Sequence, residues 1–208
     1  MSSLKVFSGN SNPNFIEGIC RYLQQPIGVA NITRFPDGEV SVKLDEDVRN
    51  SDVFIIQSTN PPAENLIELL IMIDAAKRAS ARRITAVIPY FSYARQDRKD
   101  VGRVSIAARL MANLLESAGA DRVLSMDFHT NQLQGFFGIP VDHLYGESVL
   151  VPALRELTDD GMVILSPDAG SIKRAVRYGK HLGLEVAWTY KERNVVDNTV
   201  KSIKLLGD

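Results

Sequence analysis

The chain has 208 residues, of which 45% are hydrophobic and 24% are charged. Its 24 basic residues against 25 acidic residues leave a net charge of −1, which argues against a nucleic-acid binder, because such proteins carry a surplus of basic side chains. The single Cys20 excludes an internal disulfide framework. No apolar run reaches the ~20 residues that cross a bilayer, and the N-terminus has no signal-peptide pattern. We therefore expect a cytoplasmic globular protein without a membrane partner.

Short apolar runs rich in Val and Ile alternate with longer stretches of helical period. The predicted strands cover residues 4–7, 29–34, 39–44, 53–57, 84–88, 122–126, 162–166, 185–190 and 200–205. One predicted helix begins at Asn12-Pro13, because proline is favoured at the first helical position, and the others cover 64–79, 106–118, 148–157 and 171–182. This alternation predicts an α/β fold with parallel sheets that are covered on both faces.

One segment departs from this alternation and predicts a β-hairpin. Phe35-Pro36-Asp37-Gly38 has the residues of a tight turn, and residues 39–44 after it alternate polar and apolar side chains. We therefore expect a half-exposed hairpin strand that projects from the main sheet.

Two α/β domains are expected in the chain. Pro140 and Gly146 interrupt the pattern within residues 138–147, and the alternation of strands and helices begins again after them. We therefore place an N-terminal domain at residues 1–144 and the start of a second domain at residues 145–208. Within the first domain, Ser105 is expected to cap a helix that ends at Gly119.

Polar side chains follow four of the predicted strands, at the edge where ligands bind in open parallel sheets. These segments are residues 90–99, 127–130, 167–171 and 191–193. Together they contain cations, carboxylates, an imidazole and a glycine turn. Such a set suits a polyanionic ligand that binds with a divalent metal ion.

Each segment also has a purely structural interpretation. Residues 95–99 are equally a solvated loop, and His129 taken alone is more often a core histidine than a ligand. Asp168 is equally a turn former or a helix N-cap, and Lys191 and Arg193 are equally charges on an edge strand. Outside these segments, the structural interpretation is favoured for three residues. Cys20 is expected in the core, and His143 and His181 are expected to have no convergent partners.

Taken in order, several motifs resemble the ribose-phosphate diphosphokinase (PRPP synthase) family. The resemblance extends from about residue 4 to residue 206 and covers nearly the whole chain. The most specific motifs are Arg34-Phe35-Pro36-Asp37-Gly38-Glu39 and Pro89-Tyr90-Phe91-Ser92-Tyr93-Ala94-Arg95-Gln96-Asp97-Arg98. The other motifs are Phe7-Ser8-Gly9-Asn10, Ile55-Ile56-Gln57-Ser58-Thr59, Met126-Asp127-Phe128-His129, Gln134-Gly135-Phe136-Phe137 and Ser166-Pro167-Asp168-Ala169-Gly170. The resemblance implies two phosphoribosyltransferase-like, Rossmann-like domains.

The resemblance also implies an enzyme of nucleotide biosynthesis. Such an enzyme transfers the β,γ-diphosphoryl group of ATP to the 1-hydroxyl of ribose 5-phosphate, giving PRPP and AMP. Carried over to this chain, Arg95 and Gln96 are implied to hold ATP, with Asp97 at the adenine. His129 is implied to contact ATP and, together with Asp168, to hold Mg²⁺.

The remaining implied roles concern the second domain and the hairpin. Lys191 and Arg193 are implied to stabilise the transition state, and Arg193 also to bind ribose 5-phosphate. The hairpin is implied to reach the ATP of a neighbouring subunit, so that active sites are shared in a homo-oligomer. Its residues with this implied role are Phe35, Asp37, Gly38 and Glu39.

The family's second domain continues beyond the last residues of this chain. It goes on into a strand, an Asp-Asp pair and a Gly/Thr-rich turn that cradles ribose 5-phosphate, and none of these follows Leu205-Leu206-Gly207-Asp208 here. We therefore expect an incomplete second domain. Two interpretations follow: an ATP-dependent diphosphokinase or a large part of one, or a non-catalytic regulatory or split subunit of the family.

Overall fold

A computed structural model of the chain describes residues 3–159, 161–193 and 200–206, with the backbone alone for 191–193, 200–203 and 206. Contacts between Cα atoms divide the chain into two compact units, Met1–Leu144 and Tyr145–Asp208. Among the described residues, no helix is both long enough and apolar enough to cross a membrane.

The first unit is built on a five-stranded sheet. Every neighbouring pair in the order β1-β4-β5-β6-β7 runs parallel, which confirms the predicted parallel α/β fold. The elements in chain order are β1 (Leu4–Ser8), α1 (Pro13–Leu23), β2 (Ala30–Arg34), β3 (Val40–Leu44), β4 (Asp52–Ile56), α2 (Glu64–Arg78), β5 (Arg83–Ile88), α3 (Ala107–Ala118), β6 (Arg122–Met126), a 3₁₀ helix (Asn131–Phe136) and β7 (Val141–Leu144).

Apolar side chains cover both faces of this sheet. On one face, Leu69 and Met72 of α2 are fully buried against strand residues such as Ile55. On the other face, Ile16 and Cys20 of α1 pack against residues of β1, β4 and β5. Because successive strand residues point to opposite faces, strands covered on both sides consist of almost continuous apolar runs. Burial also raises the pKa of the Cys20 thiol, in agreement with its expected place in the core.

The predicted hairpin is present as a separate two-stranded sheet. Strands β2 and β3 pair antiparallel, with Arg34 opposite Val40 next to the turn. Apolar side chains of both strands, including Ile32 and Val42, pack against the main core, and β3 lies against α2. The body of the hairpin is therefore anchored, and its turn is exposed.

Two local predictions in the first unit are wrong. No strand is predicted within residues 138–147, yet these residues contain β7, which pairs with β6 in the register Val123 opposite Val141. This strand has only four residues, Val141-Asp142-His143-Leu144, which form neither an apolar run nor an alternation of apolar and polar side chains. Ser105 does not cap α3, which starts one residue later than expected and has no side-chain cap. The predicted stop at Gly119 is confirmed by its left-handed φ of 119°.

The second unit contains a smaller sheet. Its strands have the order β10-β9-β8, with β8 and β9 parallel and with β10 antiparallel to β9. Its elements are α4 (Glu147–Arg155), β8 (Val163–Ser166), a 3₁₀ turn (Ala169–Ser171), α5 (Ile172–Leu182), β9 (Glu185–Arg193) and β10 (Val200–Leu206).

Candidate functional site

The loop after β5 is anchored by its buried residues and exposes its polar ones. Phe91 is buried and packs edge-on against Phe128, with 5.6 Å between the ring centroids. The Ser92 backbone N–H donates to Thr59 Oγ1 at 2.9 Å, and this hydroxyl donates in turn to the Tyr90 carbonyl at 3.1 Å. The loop is thus tied to the end of β4. Beyond this anchor, two residues of the predicted site are exposed: Arg95 and Gln96.

A hydrogen bond joins this loop to the turn that follows β6. The Thr130 hydroxyl donates to Asp97 Oδ2 at 2.9 Å, although the two residues are 33 positions apart in the chain. Two predicted site segments, one containing Asp97 and the other His129, therefore lie side by side at the carboxyl edge of the sheet. Thr130 was not among the predicted site residues. Its polar side chain directly after His129 was the available signal.

The turn after β6 has a strained start and two backbone anchors. Asp127 has a left-handed φ of 45°, and its N–H donates to the Leu144 carbonyl at 2.9 Å. The next N–H, that of Phe128, donates to His143 Nε2 at 3.0 Å. The expectation that His143 has no convergent partners is therefore wrong. Phe128 is buried, whereas Asp127 and His129 on either side of it are exposed.

A buried carboxylate organises the loop that follows β1. Glu68 is only 5% exposed, and its Oε1 accepts from the Asn10 backbone N–H at 2.6 Å and from Gln57 Nε2 at 2.8 Å. Its Oε2 accepts from Asn10 Nδ2 at 3.0 Å, and Gln57 Oε1 accepts from the Ser11 N–H at 3.0 Å. A Cβ on Gly9 would lie about 2.4 Å from Gln57 Oε1, so only glycine fits here. In the sequence, the position of Glu68 as a charged residue on the apolar face of a helix could have indicated this role.

The hairpin turn forms a self-contained structure. The Gly38 N–H donates to the Phe35 carbonyl, the Phe35 N–H donates to the Glu39 carbonyl, and both distances are 2.9 Å. The Glu39 N–H also donates to Asp37 Oδ1 at 3.2 Å. Gly38 has a φ of 98°, which favours glycine. The Phe35 side chain is 53% exposed, so the turn presents an aromatic ring to the outside.

In the second unit, Asp168 acts as a cap. Its Oδ1 accepts from the Ser171 N–H at 2.9 Å at the start of the 3₁₀ turn, as its structural interpretation predicts. The backbone at Lys191 and Arg193 lies at the end of β9, and the side chains of both fall outside the described part of the chain.

The predicted metal residues are His129 in the first unit and Asp168 in the second unit. Within the described residues, no group of three or more His, Cys, Asp or Glu side chains is arranged to hold a metal. His129 supplies one imidazole, and Asp168 has one carboxylate oxygen already engaged as a cap. A carboxylate oxygen such as that of Asp168 is a ligand that Mg²⁺ accepts, and this ion usually keeps several waters and substrate phosphates as its other ligands.

A pocket of about 380 Å³ lies elsewhere in the first unit, between β1, α1 and β2. Its lining includes Ser8, Asn10, Glu17 and Asn31, and none of the predicted site residues borders it. Its polar residues come from β1, the loop after it, α1 and β2, whereas the predicted residues Arg95, Gln96, Asp97 and His129 lie on the loops after β5 and β6. We therefore base the candidate site on the hydrogen-bonded loops and not on this pocket.

The fold and these loops define an α/β protein with polar loops at the carboxyl ends of parallel strands, the edge where such sheets bind ligands in general. Comparisons with known proteins show to which family of this class the chain belongs. Residues 4–119 match the family model described as the N-terminal domain of ribose phosphate pyrophosphokinase. The chain is 52% identical over 206 residues to a ribose-phosphate pyrophosphokinase of Chlorobaculum tepidum and 56% identical over 196 residues to one of Rhodopirellula baltica. The chain thus belongs to the ribose-phosphate pyrophosphokinase family, which confirms the resemblance.

The same comparisons describe how much of each relative is matched. The two alignments cover 99% and 93% of this chain, but the chain spans only 64% and 62% of the length of those relatives. The chain also resembles the crystal structure of phosphoribosylpyrophosphate synthetase from Mycobacterium smegmatis, with a TM-score of 0.92 and 40% identity. That match covers 100% of this chain and 68% of the solved one.

Proposed function

We propose that this chain carries the ATP site of a ribose-phosphate pyrophosphokinase. The reaction would transfer the β,γ-diphosphoryl group of ATP to the 1-hydroxyl of ribose 5-phosphate, producing PRPP and AMP. The observation that carries the proposal is the Thr130–Asp97 hydrogen bond, which joins the two loops bearing the ATP residues. The identity of about half to named pyrophosphokinases over 99% of the chain supports it.

The proposed chemistry needs positioning and charge neutralisation more than covalent catalysis. The 1-hydroxyl oxygen of ribose 5-phosphate bonds to the β-phosphorus of ATP, the bond from that phosphorus to the α,β-bridging oxygen breaks, and the hydroxyl proton is released. AMP leaves with the bridging oxygen. The charge moves among phosphate oxygens during this exchange, so fixed cations lower the barrier.

The loop after β5 would bind the nucleotide. The exposed Arg95 guanidinium can pair with phosphate oxygens through two parallel hydrogen bonds, and the Gln96 amide can donate and accept next to it. Asp97 accepts from Thr130 through Oδ2, and a second carboxylate oxygen in the same group can accept from an adenine amino group. The Thr130 bond would also hold Asp97 in one orientation.

Mg²⁺ would be held by His129 and Asp168, with water and substrate phosphates completing its coordination. When bound, such an ion neutralises phosphate charge and orients the β-phosphorus for attack. In the chain itself, the exposed side chain of His129 is carried by a turn whose backbone is held at Asp127 and Phe128.

The basic residues at the end of β9 would act on the transferred group. Lys191 and Arg193 lie two positions apart in the backbone of β9, which is the spacing of strand residues that share one face of a sheet. We propose that they stabilise the charge of the transition state and that Arg193 also contacts ribose 5-phosphate.

We further propose a homo-oligomer in which the hairpin turn reaches a neighbouring subunit's nucleotide. Phe35 is more than half exposed on a turn that satisfies its own hydrogen bonds, so its ring is available for stacking on an adenine. Asp37 and Glu39 belong to the same turn, and their carboxylates can accept from polar hydrogens of the base. Gly38 allows the turn that presents all three residues.

The proposal is tested by calorimetric titration of the chain with Mg-ATP, compared between Arg95→Ala and the matched control Arg21→Ala. Arg21 is an exposed arginine in the last turn of α1, away from the site loops. We expect the wild type and Arg21→Ala to bind equally and Arg95→Ala to bind at least about tenfold more weakly, because a charge-assisted bond is lost. Absence of binding, or equal binding by all three proteins, would refute the proposed site.

The transfer reaction is tested in the same samples by AMP release. Release that requires ribose 5-phosphate supports the complete reaction. Mg-ATP binding without such release restricts these 208 residues to the nucleotide-binding part of the reaction.

A further inference from the structure

His143 makes three contacts with the segments that follow β6. Its Nε2 accepts from the Phe128 backbone N–H at 3.0 Å, and its ring lies 4.8 Å from the Phe128 ring centroid at an angle of 46°. On its other side, Nδ1 lies 3.4 Å from the side-chain amide nitrogen of Gln134 in the 3₁₀ helix.

The register of the sheet brings His143 to this place. His143 on β7 is the partner of Ser125 on β6, so it stands beside the last residues of β6. A parallel register is fixed along the whole strand pair, since a slip of one residue would turn His143 to the other face of the sheet. The contact between His143 and the turn therefore follows from the fold and not from sequence proximity.

The hydrogen bond that the Phe128 N–H donates stabilises the turn after β6. Asp127 leaves the strand in the left-handed region, which a non-glycine residue adopts only where its surroundings hold it there. The neighbouring N–H groups of Asp127 and Phe128 both donate to β7, one to a carbonyl and one to His143. Without the imidazole acceptor, the second N–H would be left without a partner next to a buried ring.

We propose that His143 is a positioning residue for His129, acting through the backbone of Phe128. By accepting the Phe128 N–H, it holds the peptide between Asp127 and Phe128, which directly precedes the residue that carries the His129 side chain. This inference rests on the proposed function, in which His129 serves the Mg-ATP site. His143 itself touches neither substrate nor metal in this role.

The positioning role requires an acceptor and not only a ring. His143→Phe keeps an aromatic ring against Phe128 but removes the acceptor, whereas His143→Gln keeps an acceptor oxygen at similar reach. His181→Phe is a control for the loss of a histidine, because His181 lies on α5 in the second unit and its side chain is half exposed.

The first measurement is amide hydrogen exchange of Phe128, followed by nuclear magnetic resonance. We expect exchange about tenfold faster in His143→Phe, and close to wild-type exchange in both His143→Gln and His181→Phe. Equal Phe128 exchange in the wild type and His143→Phe would overturn the proposal. This measurement does not depend on nucleotide binding.

The second measurement is a double-mutant cycle on the affinity for ATP in the presence of Mn²⁺. Binding is followed by electron paramagnetic resonance, which detects the free Mn²⁺ ion. We expect His143→Phe to weaken binding about threefold to tenfold when His129 is present and to have no further effect in His129→Ala. An equal loss in both backgrounds would show a general structural effect and overturn the positioning role. If the wild type binds no Mn-ATP, the proposed function fails and the Phe128 exchange rate alone decides on the backbone contact.

Discussion

Replacing Glu68 by leucine is expected to destabilise the first unit by about 3 kcal/mol. Three hydrogen bonds to this buried carboxylate tie Asn10 and Gln57 to α2. Leucine has a similar size and suits a helix, so the loss of these bonds is the main change that the substitution makes.

The magnitude follows from the contacts. Hydrogen bonds to a charged acceptor each contribute about 1.5 kcal/mol at the lower end of their range, which gives about 4.5 kcal/mol for three. Burial of the leucine side chain returns about 1.5 kcal/mol, leaving a net loss of about 3 kcal/mol. Gln57 Nε2 also donates to the Asn65 carbonyl at 3.2 Å, so it keeps one partner and the loss does not rise further.

The assay is native-state amide exchange of the slowest residues of β4, because it measures the opening of the first unit separately from the second. Glu68→Gln retains one carbonyl oxygen and is expected to lose only about 1 kcal/mol. Glu64→Leu, at an exposed position in the first turn of the same helix, is expected to stay within about 0.5 kcal/mol of the wild type. The reasoning is refuted if Glu68→Leu also stays within that range or if Glu68→Gln loses as much as Glu68→Leu.

Two further predictions concern an ion pair and the link between the site loops. Lys5 bonds to Glu46 and holds the pKa of that carboxyl below its usual value of 4.5. Since the unfolded chain takes up this proton first, the contribution of the pair to stability is full above pH 4.5 and disappears as the pH falls through the lower folded pKa. Glu46→Gln should therefore lower the free energy of unfolding by about 1 kcal/mol at neutral pH and leave it unchanged in strong acid. Urea unfolding at several pH values measures this difference, and a loss of stability that does not depend on pH would contradict the prediction. Thr130→Val should weaken Mg-ATP binding about threefold to tenfold, because Asp97 loses the hydrogen bond that holds it, while Thr130→Ser should bind like the wild type. Calorimetric titration measures the three affinities, and equal affinities would contradict the prediction.

The strands with long Val/Ile runs could be predicted from the sequence, because burial on both faces leaves a continuous apolar pattern. β5 is the clearest case, since every residue from Ile84 to Ile88 is buried. β7 could not be predicted in this way. It lies at the edge of the sheet, and its polar residues Asp142 and His143 make specific contacts, one with Arg122 at 2.8 Å and the other with the turn after β6.

Part of the candidate site could also be predicted. The rule that ligands bind at the carboxyl ends of parallel strands selects the loops that carry Asp97 and His129, and the structure brings these loops together. The supporting residues could not be found in the same way, since each depends on the packing of a distant element: Glu68 on the face of α2, and His143 on the register between β6 and β7.

The most direct test of the ATP site is a titration of the isotope-labelled chain with Mg-ATP, followed through its backbone amide resonances. We predict that the largest shifts fall within residues 95–97 and 127–130 and that both segments report one dissociation constant. No shifts, or shifts confined to the pocket between β1, α1 and β2, would contradict the proposed ATP site.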